Sequence, residues 1–144
     1  MNDKAFLLDT SALLTLIEDE DGAARVEQSM REGSVIITWL SLLEVYYITL
    51  QERGQAEAER RHALLKSLPV TLLWQIDEPM LLTAARLKAS YRLSLADTLI
   101  AACAIRQGAT LLHKDPEFAA LAEQLRMEAL PYKKRQEPVG LREP

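Results

Sequence analysis

Strand-length apolar runs in this chain never follow one another directly; a helix-length segment always intervenes. "AFLL" (Ala5–Leu8), "SVIITW" (Ser34–Trp39), "VTLLW" (Val70–Trp74) and "ATLLH" (Ala109–His113) are short and apolar or β-branched. "MEALPY" (Met127–Tyr132) is a weaker fifth run, with Pro131 marking an edge or a strand end. Helical patterns fall between them at Ser11–Glu18 and Gly22–Arg31, broken by the acidic turn "EDEDG", and at Ser41–Arg53 and Ala56–Ser67, broken at Gly54. Three more follow at Glu78–Ser90, Ser94–Gln107 and Pro116–Leu125. Strands separated by helices leave almost no room for hairpins, which implies pairing mainly in parallel across crossovers. The alternation predicts an α/β fold: a three-layer α/β/α sandwich around a mainly parallel central sheet of about four or five strands. No repeat or linker divides the chain, so residues 1–132 are expected to form one domain and 133–144 a polar, proline-bearing tail.

Composition narrows the class of molecule. A chain of 144 residues with 49% apolar content, 5 Gly and 6 Pro can bury a core and is neither low-complexity nor disordered. One cysteine, Cys103, sits inside "LIAACAI", which excludes a disulfide framework and reads as a small core residue. The two histidines are far apart in sequence, which argues against a Cys/His zinc site. No apolar run approaches the roughly 20 residues needed to cross a bilayer, and "MNDKAFLLD" lacks the layout of a signal peptide, so a cytoplasmic location without membrane contact is expected. The 17 Lys+Arg against 21 Asp+Glu give a net charge of −4, which counts against binding nucleic acid by phosphate neutralisation alone. It leaves open an enzyme that meets phosphates through bound cations.

Four acids stand at junctions between apolar runs. Asp9 follows the first strand candidate, Glu44 lies in "WLSLLEVYY" just beyond the second, Asp97 opens the apolar helix of "RLSLADTLIAA", and Asp115 follows the fourth in "HKDPEF". Ligands of open parallel sheets bind at the carboxyl ends of the strands, where three of these acids fall. Each also has a purely structural reading. Asp9 can N-cap a helix, Ser41–Glu44 and Ser94–Asp97 match the capping-box pattern, and Asp115–Pro116 matches an N-cap with proline at the first helical position. Taken together the acids point further: carboxylates gathered at one sheet edge repel unless a hard divalent cation joins them.

"LLDTSALL", "LSLLEVYY" and the long block "LSLADTLIAACAIRQGATLLHKDPEF" resemble, in that order, the PIN domain, and within it the VapC-like toxins of bacterial and archaeal toxin–antitoxin pairs. The likeness covers about Ala5 to Tyr132. It implies a metal-dependent endoribonuclease whose acidic cluster binds Mg²⁺ or Mn²⁺, with the family's four acids falling on Asp9, Glu44, Asp97 and Asp115 as metal-holding and catalytic residues. It further implies metal-activated water and cleavage to 5′-phosphate and 3′-hydroxyl ends. The small hydroxyl residue found near the first acid falls on Ser11 or Thr10. His113 stands where a threonine is common, and all three are expected on the substrate side. The resemblance also implies a VapB-like antitoxin held in a groove between helices, and a homodimer.

Other readings remain beside this one. His113 can be a strand-end histidine with no chemical role. Arg53, Arg60, Arg61, Lys66 and the run Lys133–Lys134–Arg135 can guide RNA or simply form a solvated face. Trp39, Trp74, Tyr46 and Tyr47 read as core, with Tyr46 and Tyr47 unable to point the same way on a helix. A catalytically silent PIN-like scaffold is the alternative function. A phosphotransfer domain ranks last, because Ser11 occupies the place of the second aspartate such phosphatases need, and a receiver's acidic pair is missing.

Overall fold

The structure, a computed structural model, describes residues 4–133. Lys134, Arg135 and the rest of the expected tail lie outside the described residues. Five strands, β1 (Ala5–Leu8), β2 (Ser34–Thr38), β3 (Thr71–Leu73), β4 (Thr110–His113) and β5 (Met127–Ala129), form one sheet in the order β3-β2-β1-β4-β5. Every pairing is parallel, with Leu7 opposite both Ile36 and Leu111, Thr38 opposite Leu73, and His113 opposite Ala129. The expected three-layer α/β fold is the observed one.

The chain steps outward from β1 to β2 to β3, then returns past β1 to place β4 and β5 on its other side. Helices α1 (Thr10–Ile17), α2 (Ala23–Glu32), α3 (Trp39–Arg53) and α4 (Gln55–Ser67) serve the first two crossovers. Helices α5 (Glu78–Ser90) and α6 (Leu95–Gln107) serve the return. A reversal of direction under a fixed crossover hand sends the two groups to opposite faces. The side chains agree with that layering. Phe6, Leu8 and Leu112 pack with Leu13, Val26, Val45 and Leu65 of the first group, whereas Leu7 and Leu111 pack with Met80, Leu87, Ile100 and Cys103 of the second. Alternation along β1 and β4 thus serves two cores, as the period of a strand requires.

Several boundaries shift for identifiable reasons. Trp39 opens α3 rather than closing β2, because Thr38 is the N-cap and accepts the Ser41 amide. That displaces the capping box expected at Ser41–Glu44: Ser41 lies inside the helix, and Glu44 caps nothing there. Pro116–Leu121 is a 3-10 helix instead of an α-helix reaching Leu125. Trp74, read as core, is 55% exposed, while Trp39 packs partly buried against the α5–α6 core. The second helical pair is tied to the first by Arg61. Its guanidinium, 4% exposed, reaches Glu57 at 2.8 Å and Glu18 at 3.2 Å. Arg60 and Arg53 are likewise engaged, with Glu57 and Glu18, so these arginines are already engaged within the chain.

Gly33, between α2 and β2, is where the first crossover meets the start of the sheet. A Cβ there would overlap the Lys4 backbone carbonyl, which accepts the Ser34 amide at 3.1 Å. Backbone cannot yield as a flexible side chain can, so Gly33→Ala is expected to lower stability by about 1–3 kcal/mol. Urea unfolding checks this, and an unchanged midpoint would contradict the close approach.

Candidate metal centre

The reversal point of the sheet lies between β1 and β4, and their carboxyl ends leave a crevice there. Asp9 is the residue after β1. Its amide donates to the Leu112 carbonyl at 3.2 Å, continuing the ladder one step beyond the strand. Its side chain N-caps α1 by accepting the Ala12 amide at 2.8 Å. The carboxylate is 2% exposed. Ser11 donates to both of its oxygens, at 2.7 and 2.8 Å, and accepts the Lys114 amide at 2.8 Å. One hydroxyl therefore bridges the ends of the two strands that flank the crevice.

The other acids arrive from different elements. Thr10 donates to Glu44 and also lies 3.3 Å from Ser41, which ties α1 to α3. Ser94 caps α6 and accepts the Asp97 amide at 3.1 Å. Asp115 caps the 3-10 helix and accepts the Glu117 amide at 3.0 Å. His113, 1% exposed, lends its Nδ1 to the Asp115 amide at 3.1 Å, so its ring orients the loop that carries Asp115. Its Nε2 has no partner among the described residues. The ring sits 5.1 Å from Phe118 and 6.4 Å from Tyr132.

Capping and clustering are therefore the same event for Asp9 and Asp115. A cap fixes the carboxylate at a helix start, and the helix starts of this sheet face the crevice. Oxygens of Asp97, Asp115 and Glu117 lie within 4.8 Å of one another. Glu117 is the member that the sequence reading missed. It reads there as an ordinary first-turn acid after proline, and only its spacing of two from a capping aspartate hinted at more.

Electrostatics link the whole set. Burial pushes the Asp9 carboxyl up to about 7 against the pull of the Ala12 and Ser11 hydrogen bonds, and Asp97 and Asp115 add to the rise. Asp97 is pushed up to about 6, first by burial and then by Asp115 and Glu44, with Glu117 adding and Ser94 opposing. Burial holds the His113 imidazole below its usual value despite the nearby Asp115. Arg25, Arg61 and Lys114 all face carboxylates elsewhere. The donor set here is all oxygen, crowded and short of positive charge, which fits a hard divalent cation such as Mg²⁺ or Mn²⁺.

A PIN-domain family model matches residues 6–124. Ribonuclease VapC2 of Mycobacterium tuberculosis is 35% identical over 130 residues, spanning 85% of this chain and 88% of that protein. Two solved structures share the fold. VapBC2 from Rickettsia felis, bound to a promoter DNA fragment, gives a TM-score of 0.74 at 16% identity and covers 88% of this chain and 99% of that one. VapBC-1 from nontypeable Haemophilus influenzae gives 0.69 at 19% identity, covering 87% and 97%.

A carboxyl raised in the folded chain binds its proton more tightly than in the unfolded chain. The contribution of Asp9 to the stability of the metal-free protein is therefore complete below about pH 4 and is lost as pH rises through about 7. Asn at position 9 keeps the cap and removes the charge. In EDTA, the wild type is expected to be on the order of 2 kcal/mol less stable at pH 8 than at pH 5.5 through this group. Asp9→Asn should lose much less, and thermal melts at the two pH values check this. Equal pH dependence in both proteins would show that Asp9 is not the strained group.

Proposed function

The chain belongs to the PIN-domain family and, within it, to the VapC group, and from that premise we propose that it is a metal-dependent endoribonuclease, the toxin of a toxin–antitoxin pair. The observation that carries this reading is the meeting of Asp97, Asp115 and Glu117, whose oxygens lie within 4.8 Å of one another, with Asp9 and Glu44 near enough to act on the cluster electrostatically. A scaffold gains nothing from carboxylates held against their own repulsion.

In this reading Asp9, Glu44, Asp97 and Asp115 hold Mg²⁺ or Mn²⁺, and Glu117 joins them. A bound ion of this kind would act as a Lewis acid, lowering the pKa of a coordinated water and countering charge on the phosphoryl oxygens. The chain's own residues set the geometry. Asp115 has Oδ1 taken by the Glu117 amide and keeps Oδ2 for the ion or for orienting the attacking water. Ser11 fixes both oxygens of Asp9, and Thr10 fixes Glu44. His113, through the Asp115 amide, sets the loop that carries the fourth acid. The three residues expected on the substrate side thus act on substrate chiefly through the carboxylates they orient. Attack of water on phosphorus breaks the P–O3′ bond and leaves 5′-phosphate and 3′-hydroxyl ends.

The partners follow from exposed apolar surface. Leu43, Tyr47 and Leu50 share one face of α3, 52%, 43% and 43% exposed, at the spacing an amphipathic antitoxin helix would cover. Leu81, Leu82 and Leu95, between 48% and 64% exposed, lie on α5 and at the head of α6 and form the proposed homodimer face. The related VapBC2 and VapBC-1 structures are of toxin with antitoxin. No helix among the described residues is long and apolar enough to cross a membrane, and a cytoplasmic RNA is the proposed substrate.

Two experiments test these readings. Purified antitoxin-free protein is expected to cut total cellular RNA at discrete sites with Mg²⁺ or Mn²⁺ and not in EDTA. Asp97→Asn should lose at least about 100-fold of that activity, the scale of removing a principal electrostatic group, while remaining folded. Folded wild type that is inert with every metal would return the chain to a binding scaffold. Leu81→Glu should convert a dimer to a monomer in analytical ultracentrifugation, and an unchanged mass would remove that face from the interface.

A further inference from the structure

The geometry points to a nucleobase subsite beside the acidic centre, a cleft of about 410 Å³ that receives a guanine-type base of the RNA strand. The inference rests on the nuclease reading and names a feature of the substrate that the same site reads. The cleft shares walls with the centre: Ser11, which holds Asp9, lines it, and so do Lys114 and Pro116, the two neighbours of Asp115. A group lodged there lies next to the phosphate being cut.

The chemistry of the walls favours a neutral planar group. Leu14 and Ile48 supply aliphatic surface, and Tyr132, 44% exposed, supplies an aromatic ring on which a base stacks. Two of the three carboxylates that line the cleft are already answered. Glu18 pairs with Arg61 at 3.2 Å and Arg53 at 3.8 Å, and Glu20 pairs with Lys114 at 3.4 Å and Lys133 at 3.0 Å. A cation would find those carboxylates taken, and a phosphate would meet both of them. Glu52 lines the same cleft, where Lys133 acts on it only electrostatically and no hydrogen bond occupies its oxygens among the described residues. Its two oxygens match the parallel N1–H and N2–H donors of guanine. Adenine and cytosine turn a ring acceptor toward a carboxylate in that position, and uracil offers a single N–H between carbonyls.

Nucleosides test the cleft without involving the metal. Guanosine added to the full chain should shift NMR signals from Ile48, Glu52 and Tyr132. Inosine should bind more weakly and adenosine roughly 10- to 100-fold more weakly, the span expected from losing a bidentate pair. Glu52→Gln should bring guanosine down to the level of adenosine, and Tyr132→Ala should weaken all three. In parallel, both variants should hydrolyse the base-free diester bis(p-nitrophenyl) phosphate at the wild-type rate while losing any preference for cutting RNA beside G. Absence of guanosine-dependent shifts, or a preference that survives in Glu52→Gln, overturns the subsite. Displacement by arginine amide with no response to guanosine also overturns it, in favour of a basic peptide. Nucleoside binding needs no hydrolysis, so a wild type that binds guanosine but cuts neither substrate would defeat the nuclease reading alone.

Discussion

A carboxylate buried to 2% exposure at the seam of β1 and β4 governs the local design of this protein. Burial without a cation disfavours the charged form of Asp9, and two further acids add to that cost. The neighbouring structure works to keep the group in place. The cap on α1, the bifurcated hydrogen bond from Ser11 and the ladder bond to Leu112 hold its backbone and side chain from three directions. Ser11 also receives the Lys114 amide, so the constraint on Asp9 passes directly to the strand end that delivers Asp115.

Caps and ligands are usually offered as competing explanations for an acid at a helix start. Here they coincide. Asp9 and Asp115 use their side chains as N-caps, and Asp97 sits at the first turn of a helix capped by Ser94. Each helix start already favours negative charge through its unpaired N–H groups. A parallel sheet collects such starts along one edge, and the reversal of strand order opens a crevice at one point of it. Glu44 is the exception that shows the principle, since it lies inside α3, caps nothing, and is held instead by Thr10 from α1.

The rest of the charge is treated differently. Arg25 meets Glu128 and Glu32, Arg61 meets Glu57 and Glu18, and Lys114 meets Glu20. These pairs fasten elements to one another: α2 to β5, α4 to α1, and the end of β4 to the turn between α1 and α2. Positive charge is spent on assembly, and these cations are turned to carboxylates other than the crevice acids. A net charge of −4 is consistent with that division.

Alternation of strand-length and helix-length segments was enough to establish the layered parallel fold, because crossover length and the absence of hairpins leave few topologies open. Glu44 and Asp97 were legible for a related reason: a charged residue flanked by "SLL" and "VYY", or by "SLA" and "TLIAA", stands out against its own neighbourhood. Boundaries were less legible. Thr38, Trp39 and Ser41 compete for one helix start, and the winner depends on which hydroxyl reaches an amide in space. Strand order, the side of β1 on which β4 lies, and the meeting of Glu117 with Asp97 across 20 residues of chain are decided only in three dimensions. So is the fate of Trp74, whose apolar surroundings in sequence gave no sign that the sheet would leave it outside. Local pattern determines what each segment can become, whereas distance between segments is a property of packing, and the chemistry of this protein depends on such distances.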